Sequence, residues 1–176
     1  HFSDRLELVA AELERRGTAA GTIQAELAEI DECERAVREA YEDAGRLDVI
    51  ISNAAAWTKE PFLELTDESW LKVVAVNLTA SFVIGQRAAR AMVETGRGGV
   101  ILYTASISSL GGSPEFSHYN AAKAGLANLV QTMALELVGH GIRVNCVSPG
   151  PSDTQQSVDL VGEAQMDKWR REGFPV

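Results

Sequence analysis

The chain has 176 residues, 45% of them apolar, with 16 basic against 25 acidic side chains and a formal net charge of −9. That is enough chain for one domain with a real core and too apolar for disorder. It is too acidic for a nucleic-acid groove or an anionic membrane surface to be its main partner. Cys33 and Cys146 lack metal-ligand spacing and sit in apolar patterns, so reduced core thiols, no metal site and a cytoplasmic setting are expected. Neither a membrane span nor a signal peptide is expected.

The elements alternate along the chain. LELVAAELERRG (6–17) carries Leu6, Val9, Ala10 and Leu13 at helical spacing and stops at Gly17. Residues 18–27 read as a weak, short strand. Residues 31–45 read as a helix with a capping-box pattern at Asp31 and Glu34, an apolar stripe through Cys33, Val37 and Tyr41, and Gly45 as its end. LDVIISNAA (47–55) is an apolar run that breaks at asparagine, the mark of a buried parallel strand. A long helix is predicted over 66–96 with Thr66 as N-cap, then a buried strand over 99–106. A second long helix is predicted over 117–141, a strand over 142–150, and a short helix around 157–171. The two long helices are too apolar for one buried face each.

Alternating strands and helices of this kind mean an α/β fold with a parallel sheet. Ligands of such sheets bind at the carboxyl ends of the strands. Here those ends read SNAA, TAS and SPG, small or polar where packing alone favours apolar residues.

In SHYNAAKAGL (117–126), Tyr119 and Lys123 stand four apart at the start of a helix, so they share one face. A phenol ionises near 10 when unperturbed, and an adjacent ammonium favours its charged form. The pair is therefore a sensible acid–base device, though Y-x-x-x-K by itself is a weak motif. Its context strengthens it. Ser106 ends the preceding strand, and Asn77 is an amide among apolar residues of the long helix. His118 adjoins Tyr119 but points about 100° away around the helix, which argues against a direct role.

With GRLDVIISNAA, VVAVNLTASF, GVILYTASISS, YNAAK and RVNCVSPGPSDT in this order and spacing, the chain resembles the short-chain dehydrogenase/reductase family over residues 4–154. The nearest flavour is that of the 3-oxoacyl-carrier-protein reductases. The resemblance implies a Rossmann-type doubly wound parallel sheet with helices on both faces. It implies a single domain across 1–176, with 151–176 as a substrate lid, and a homodimer or homotetramer that pairs the helices of 66–96 and 117–141. It implies an NAD(P)-dependent oxidoreductase that moves a hydride between a nicotinamide cofactor and a carbonyl or secondary alcohol. The catalytic residues carried over are Asn77, Ser106, Tyr119 and Lys123. Tyr119 is the acid/base, Lys123 its charge partner and a ribose ligand, Ser106 the holder of the substrate oxygen, and Asn77 the anchor of a water relay. Cofactor contacts fall on Glu26, Leu27, Asn53, Ala54, Ala55, Tyr119, Lys123, Pro149, Gly150 and Thr154. Substrate contacts fall on Trp57, Ile107, Ser106 and Tyr119, with Leu110–Ser113 and Pro151 to about Trp169 lining or covering the pocket.

Three departures from the family pattern stand out: Ser52 for asparagine, Ala55 for glycine, and Glu26 where aspartate is usual. The family's glycine-rich phosphate turn is expected upstream of His1, and a last helix and strand beyond Val176. No acid occupies His1–Ser3, the expected end of the second strand, and Arg5 is close, which leans the cofactor to NADP(H) over NAD(H) despite Asp4. Two other readings compete. One is a non-catalytic nucleotide-binding or regulatory protein on a degenerate Rossmann fold. The other is a dehalogenase on the same scaffold, in which arginine typically replaces the lysine at 123.

Overall fold

The computed structural model describes residues 2–173. In chain order it runs α1 (Phe2–Arg15), α2 (Ile30–Ala44), β1 (Val49–Ser52), α3 (Asp67–Val74), a π-helical turn (Ala75–Thr79), α4 (Ala80–Thr95) and β2 (Gly99–Thr104). There follow a 3-10 turn (Ile107–Ser109), α5 (Ser117–Leu137), a second 3-10 turn (Val138–His140), β3 (Ile142–Val147), α6 (Gln155–Val161) and α7 (Glu163–Glu172). The strands form one parallel sheet in the order β1-β2-β3. The register is continuous, with Ser52 opposite Tyr103 and Thr104 opposite Val147. The carboxyl ends of all three strands therefore open on the same edge of the sheet, as expected of the α/β parallel class.

Alternation along the strands decides what α4 and α5 cover. Ile101, Tyr103, Ile142 and Val144 point to one face and pack with Ala89 and Met92 of α4 and Leu126 and Val130 of α5. The opposite face carries Val49, Ile51 and Val147, which are exposed among the described residues. The helices lie close on the sheet because glycines let them. A Cβ on Gly85 of α4 would sit 1.9 Å from the Tyr103 hydroxyl oxygen. That hydroxyl donates to the Ser81 carbonyl, 3.2 Å away. At the far edge of the sheet Gly98 and Gly141 abut. Both have a φ of +70°, and a Cβ on Gly98 would stand 2.4 Å from the Gly141 carbonyl oxygen.

Helix ends follow their caps. Thr66 accepts the Ser69 amide at 3.1 Å, and Gly45 closes α2 in the left-handed region at φ 68°. The capping box expected at Asp31 and Glu34 is not formed. The helix begins one residue earlier, at Ile30 behind an uncapped Glu29, which places Asp31 and Glu32 inside the first turn, facing the helix dipole. Residues 18–27 form no strand. A strand exists through its ladder partners, and among the described residues β1 pairs with β2 alone. The long helix of 66–96 is interrupted by the π turn, and the tail helix is split at Gly162, whose φ is 84°. Phe2 and Ser3 lie in α1 and do not end a strand. His1 lies outside the described residues, as do the side chains of residues 2–5, on which the cofactor preference was read. Cys33 is fully buried and Cys146 half-buried, and both are free thiols.

Gly85→Ala is expected to cost about 1–3 kcal/mol, because the buried Tyr103 ring has no room to retreat. Urea unfolding is the measurement: the midpoint should fall at unchanged slope, and adding Tyr103→Phe should recover part of the loss.

Candidate active site

Beyond the strand ends the chain passes through Asn53, Ser106 and Pro149, and their surroundings enclose one cavity of about 450 Å³. The edges are tied together by hydrogen bonds. The Thr104 hydroxyl donates to Asn53 Oδ1 at 2.9 Å, and the Ile107 amide donates to the Pro149 carbonyl at 3.1 Å. Asn53, Ala55, Trp57, Ser106 and Ile107 line the cavity from the β1 and β2 ends. Tyr119 and Lys123 reach it from α5, and Pro149, Gly150 and Thr154 from beyond β3.

Some expected contacts lie elsewhere. Ala54 is not part of the lining. Glu26 Oε1 accepts the Ala28 amide at 3.1 Å, and Leu27 packs against the cluster of Cys33, Ala80 and Val83. Thr154 does line the cavity and is at the same time the N-cap of α6, accepting the Ser157 amide.

Lys123 is the central polar group. It is 2% exposed, and its ammonium donates to the Thr104 carbonyl at 2.7 Å. The Nζ stands 5.6 Å from the centre of the Tyr119 ring. Burial brings the lysine pKa down to about 8. Burial also pushes the Tyr119 phenol up, opposed by a hydrogen bond from Ser106. The expected lowering of Tyr119 by Lys123 is therefore reversed, since desolvation penalises both charged forms. The resident side chains hold Tyr119 as a neutral phenol, a proton donor, with the Ser106 hydroxyl beside it.

Asn77 lies in the π turn, fully buried, and is not part of the lining. Its amide donates to the Ala56 carbonyl at 2.5 Å and to the Val73 carbonyl at 2.8 Å. Its Oδ1 has no partner among the described residues. Its own carbonyl accepts the Ser81 hydroxyl at 3.1 Å. An interrupted helix of this type often marks a functional position.

The sequence reading missed Thr104, whose carbonyl holds Lys123 and whose hydroxyl holds Asn53. Its signal was a polar residue closing an apolar strand. It also gave His118 no task. The structure buries His118 completely, with Nε2 2.7 Å from the Thr58 hydroxyl.

The residues present fit the nicotinamide-ribose half of a dinucleotide. A buried ammonium at the strand edge is a donor for sugar hydroxyls, and Asn53, Gly150 and Thr154 stand around the same cavity. Among the described residues no glycine-rich turn leads from a strand into a helix.

Parallel sheet, α-helical crossovers and a cluster at the strand carboxyl ends define a Rossmann-type protein. Within that class, the family model described as short chain dehydrogenase matches residues 2–164, and the chain belongs to that family. It is 38% identical to L-rhamnose 1-dehydrogenase (NAD(P)(+)) of Azotobacter vinelandii, over 93% of this chain and 62% of the relative. Acetoin dehydrogenase from Enterobacter cloacae superposes at a TM-score of 0.81 with 39% identity, over 85% of this chain and 62% of that one. A structure titled as an NAD(P) dependent gluconate 5-dehydrogenase from Beutenbergia cavernae, with bound NADP at low occupancy, superposes at 0.84 with 29% identity, over 91% of this chain and 64% of that one. The chain spans about three fifths of the length of the curated relatives it matches.

Lys123 yields a test of the site's electrostatics. Between pH 8 and 10.5 the unfolded chain keeps a proton that the folded chain has shed, so this group adds stability as pH rises through that window. Below pH 8 both states are protonated and the cost of burial is fully present. Lys123→Met should therefore unfold no earlier than the parent at neutral pH, and is expected to gain about 1–3 kcal/mol there. The difference should shrink toward pH 10.5. Paired thermal melts across that range check it, and a gap that widens with pH would refute the assigned burial cost.

Proposed function

We propose that the chain is the catalytic part of an NAD(P)(H)-dependent oxidoreductase that interconverts a carbonyl group and a secondary alcohol. One observation carries this reading: Ser106, Tyr119 and Lys123 converge on a single cavity at the strand edge, with the phenol held neutral. A bound nicotinamide supplies or accepts the hydride. Tyr119 gives its proton to the substrate oxygen in reduction and takes it back in oxidation. Ser106 donates a hydrogen bond to the same oxygen as charge builds there. Lys123, anchored on Thr104, favours the phenolate once the proton has left and offers its remaining hydrogens to the ribose. Asn77 holds the Ala56 carbonyl beside Trp57, and its Oδ1, without a partner among the described residues, suits a water that returns protons to the lysine.

Cofactor contacts are assigned to Asn53, Ala54, Ala55, Pro149, Gly150 and Thr154, with Glu26 and Leu27 toward the adenine. NADP(H) is preferred over NAD(H), in keeping with the NADP bound to the gluconate 5-dehydrogenase relative. The substrate is a small carbonyl compound or alcohol held by Trp57, Ile107, Ser106 and Tyr119. Its walls combine Trp57, Phe116 and Trp169 with the hydroxyls of Ser108, Ser113 and Ser157, and Lys123 is the one cation among the lining residues. That chemistry favours an uncharged, hydroxylated substrate, of the kind named for the rhamnose and acetoin relatives. The segment from Pro151 onward acts as the lid, clasped by Arg170 to Asp153 at 2.8 Å. The fold is read as one domain working in the cytoplasm. It assembles as a homodimer or homotetramer through the faces of α4 and α5, where Phe82 and Val93 are exposed. The non-catalytic reading is less favoured because the relatives carry dehydrogenase names, and the dehalogenase reading because Lys123 is present.

Two outcomes are expected. Tyr119→Phe should lower kcat for NADP-linked oxidation of L-rhamnose or acetoin by about 10²–10⁴-fold while cofactor binding, read by nicotinamide fluorescence, stays as in the parent. Unchanged turnover would sink the mechanism. Phe82→Arg should shift the protein to a smaller species in sedimentation velocity, and an unaltered profile would remove α4 from the interface.

A further inference from the structure

Trp57, a wall of the cavity, lies between two residues that are each held by a buried side chain. On one side the Ala56 carbonyl accepts the Asn77 amide at 2.5 Å. On the other the Thr58 hydroxyl meets His118 Nε2 at 2.7 Å. The direction of that second bond can be derived. Thr58 donates its one proton to Glu60 Oε1 at 2.6 Å. Glu60 is held below the usual carboxylate range, first by Thr58 and then by Ser69, so it is an acceptor only. Thr58 is thus left with lone pairs toward the ring, and His118 Nε2 must carry the hydrogen. Its Nδ1 is buried and without a partner among the described residues, so the bond to Thr58 is the one that holds the ring. The imidazole is a one-directional clamp, donating from Nε2 to Thr58.

The same two loops are joined again nearby. The Glu60 amide donates to the Glu115 carbonyl at 3.0 Å, Lys59 pairs with Glu115 at 3.1 Å, and the Trp57 and Phe116 rings meet at 6.2 Å. Glu115 itself is held at a φ of +67°, a conformation that a non-glycine residue keeps only when its surroundings impose it. Of these links, the His118 bond is the one made by a fully buried side chain. It springs from the residue next to Tyr119.

We propose that His118 is a positioning residue: through Thr58 and Glu60 it fixes Trp57 as a wall of the substrate cavity and keeps that wall in register with Tyr119. The proposal rests on reading the cavity as the substrate site. Trp57 can nevertheless be observed with no substrate present, so the two can fail separately.

The test uses the full chain with Trp57 as its sole tryptophan (Trp70→Phe and Trp169→Phe). Acrylamide quenching of Trp57 should rise about two-fold in His118→Phe and in Thr58→Val, which loosen the clamp locally without altering the cavity's chemistry. His118→Gln places an amide donor where Nε2 stands and should return quenching to the parent value. With acetoin and NADP as the assayed pair, the first two variants should raise KM about three- to tenfold at nearly constant kcat. Unchanged quenching in both variants overturns the proposal, as does a fall in kcat at constant KM, which would make His118 part of the chemistry. If His118→Phe does not fold, the exposed Thr58→Val decides. A chain with all three tryptophans in place that leaves acetoin untouched counts against the functional reading, not against the clamp.

Discussion

The hydrogen bond from the Lys123 ammonium to the Thr104 carbonyl is the point from which the site is built. It ties the first turns of α5 to the end of β2, and it gives a buried charge an acceptor that cannot leave. Thr104 passes the constraint to β1 through its hydroxyl on Asn53. The residues that follow it pass the constraint to β3 through the Pro149 carbonyl. A charge in so dry a place is costly. The depressed lysine records that cost. The raised phenol records the same dryness acting on an acid. One environment thus shifts both groups toward their neutral forms, the lysine downward and the phenol upward.

Much of this was legible in the chain itself. Buried parallel strands announce themselves as short apolar runs, and the residues that end them, Asn53, Thr104 and Ser148 to Gly150, stand out because they are small or polar. The 3.6 period fixes Tyr119 and Lys123 on one face. Local chemistry also placed Thr66 and Gly45 correctly as helix ends. What could not be read depends on contacts distant in sequence. Residues 18–27 have strand-like composition, but composition does not supply a neighbour. The π turn is silent in the pattern, because AVNLT continues the helical apolar rhythm without a break. His118 looked idle, since its role comes from a loop sixty positions away. The direction of the Tyr119 shift was misjudged for a related reason. Spacing shows that a charge is near, but not how dry the site is.

The π turn has a structural logic of its own. One wider turn lets Asn77 reach back to Val73 and outward to Ala56 with the same amide. It also presents the Asn77 carbonyl to Ser81, which in turn lies 3.3 Å from Ser52 Oγ at the end of β1. A regular helix would have used these backbone groups internally. Local irregularity here converts helix bonds into links between layers.

The contact between Gly98 and Gly141 has a historical consequence. The two lie on the rim opposite the site, each in a left-handed conformation, with one carbonyl against the other's α-carbon. The lock works from one side: a side chain on Gly98 must wait for the Gly141 carbonyl to move, whereas one on Gly141 meets only ordinary contact and is opposed by its own left-handed backbone alone. Gly98 cannot be the first of the pair to change. Innovation is steered to the open strand ends, where the loops that choose the substrate can diverge while the rim behind them stays frozen.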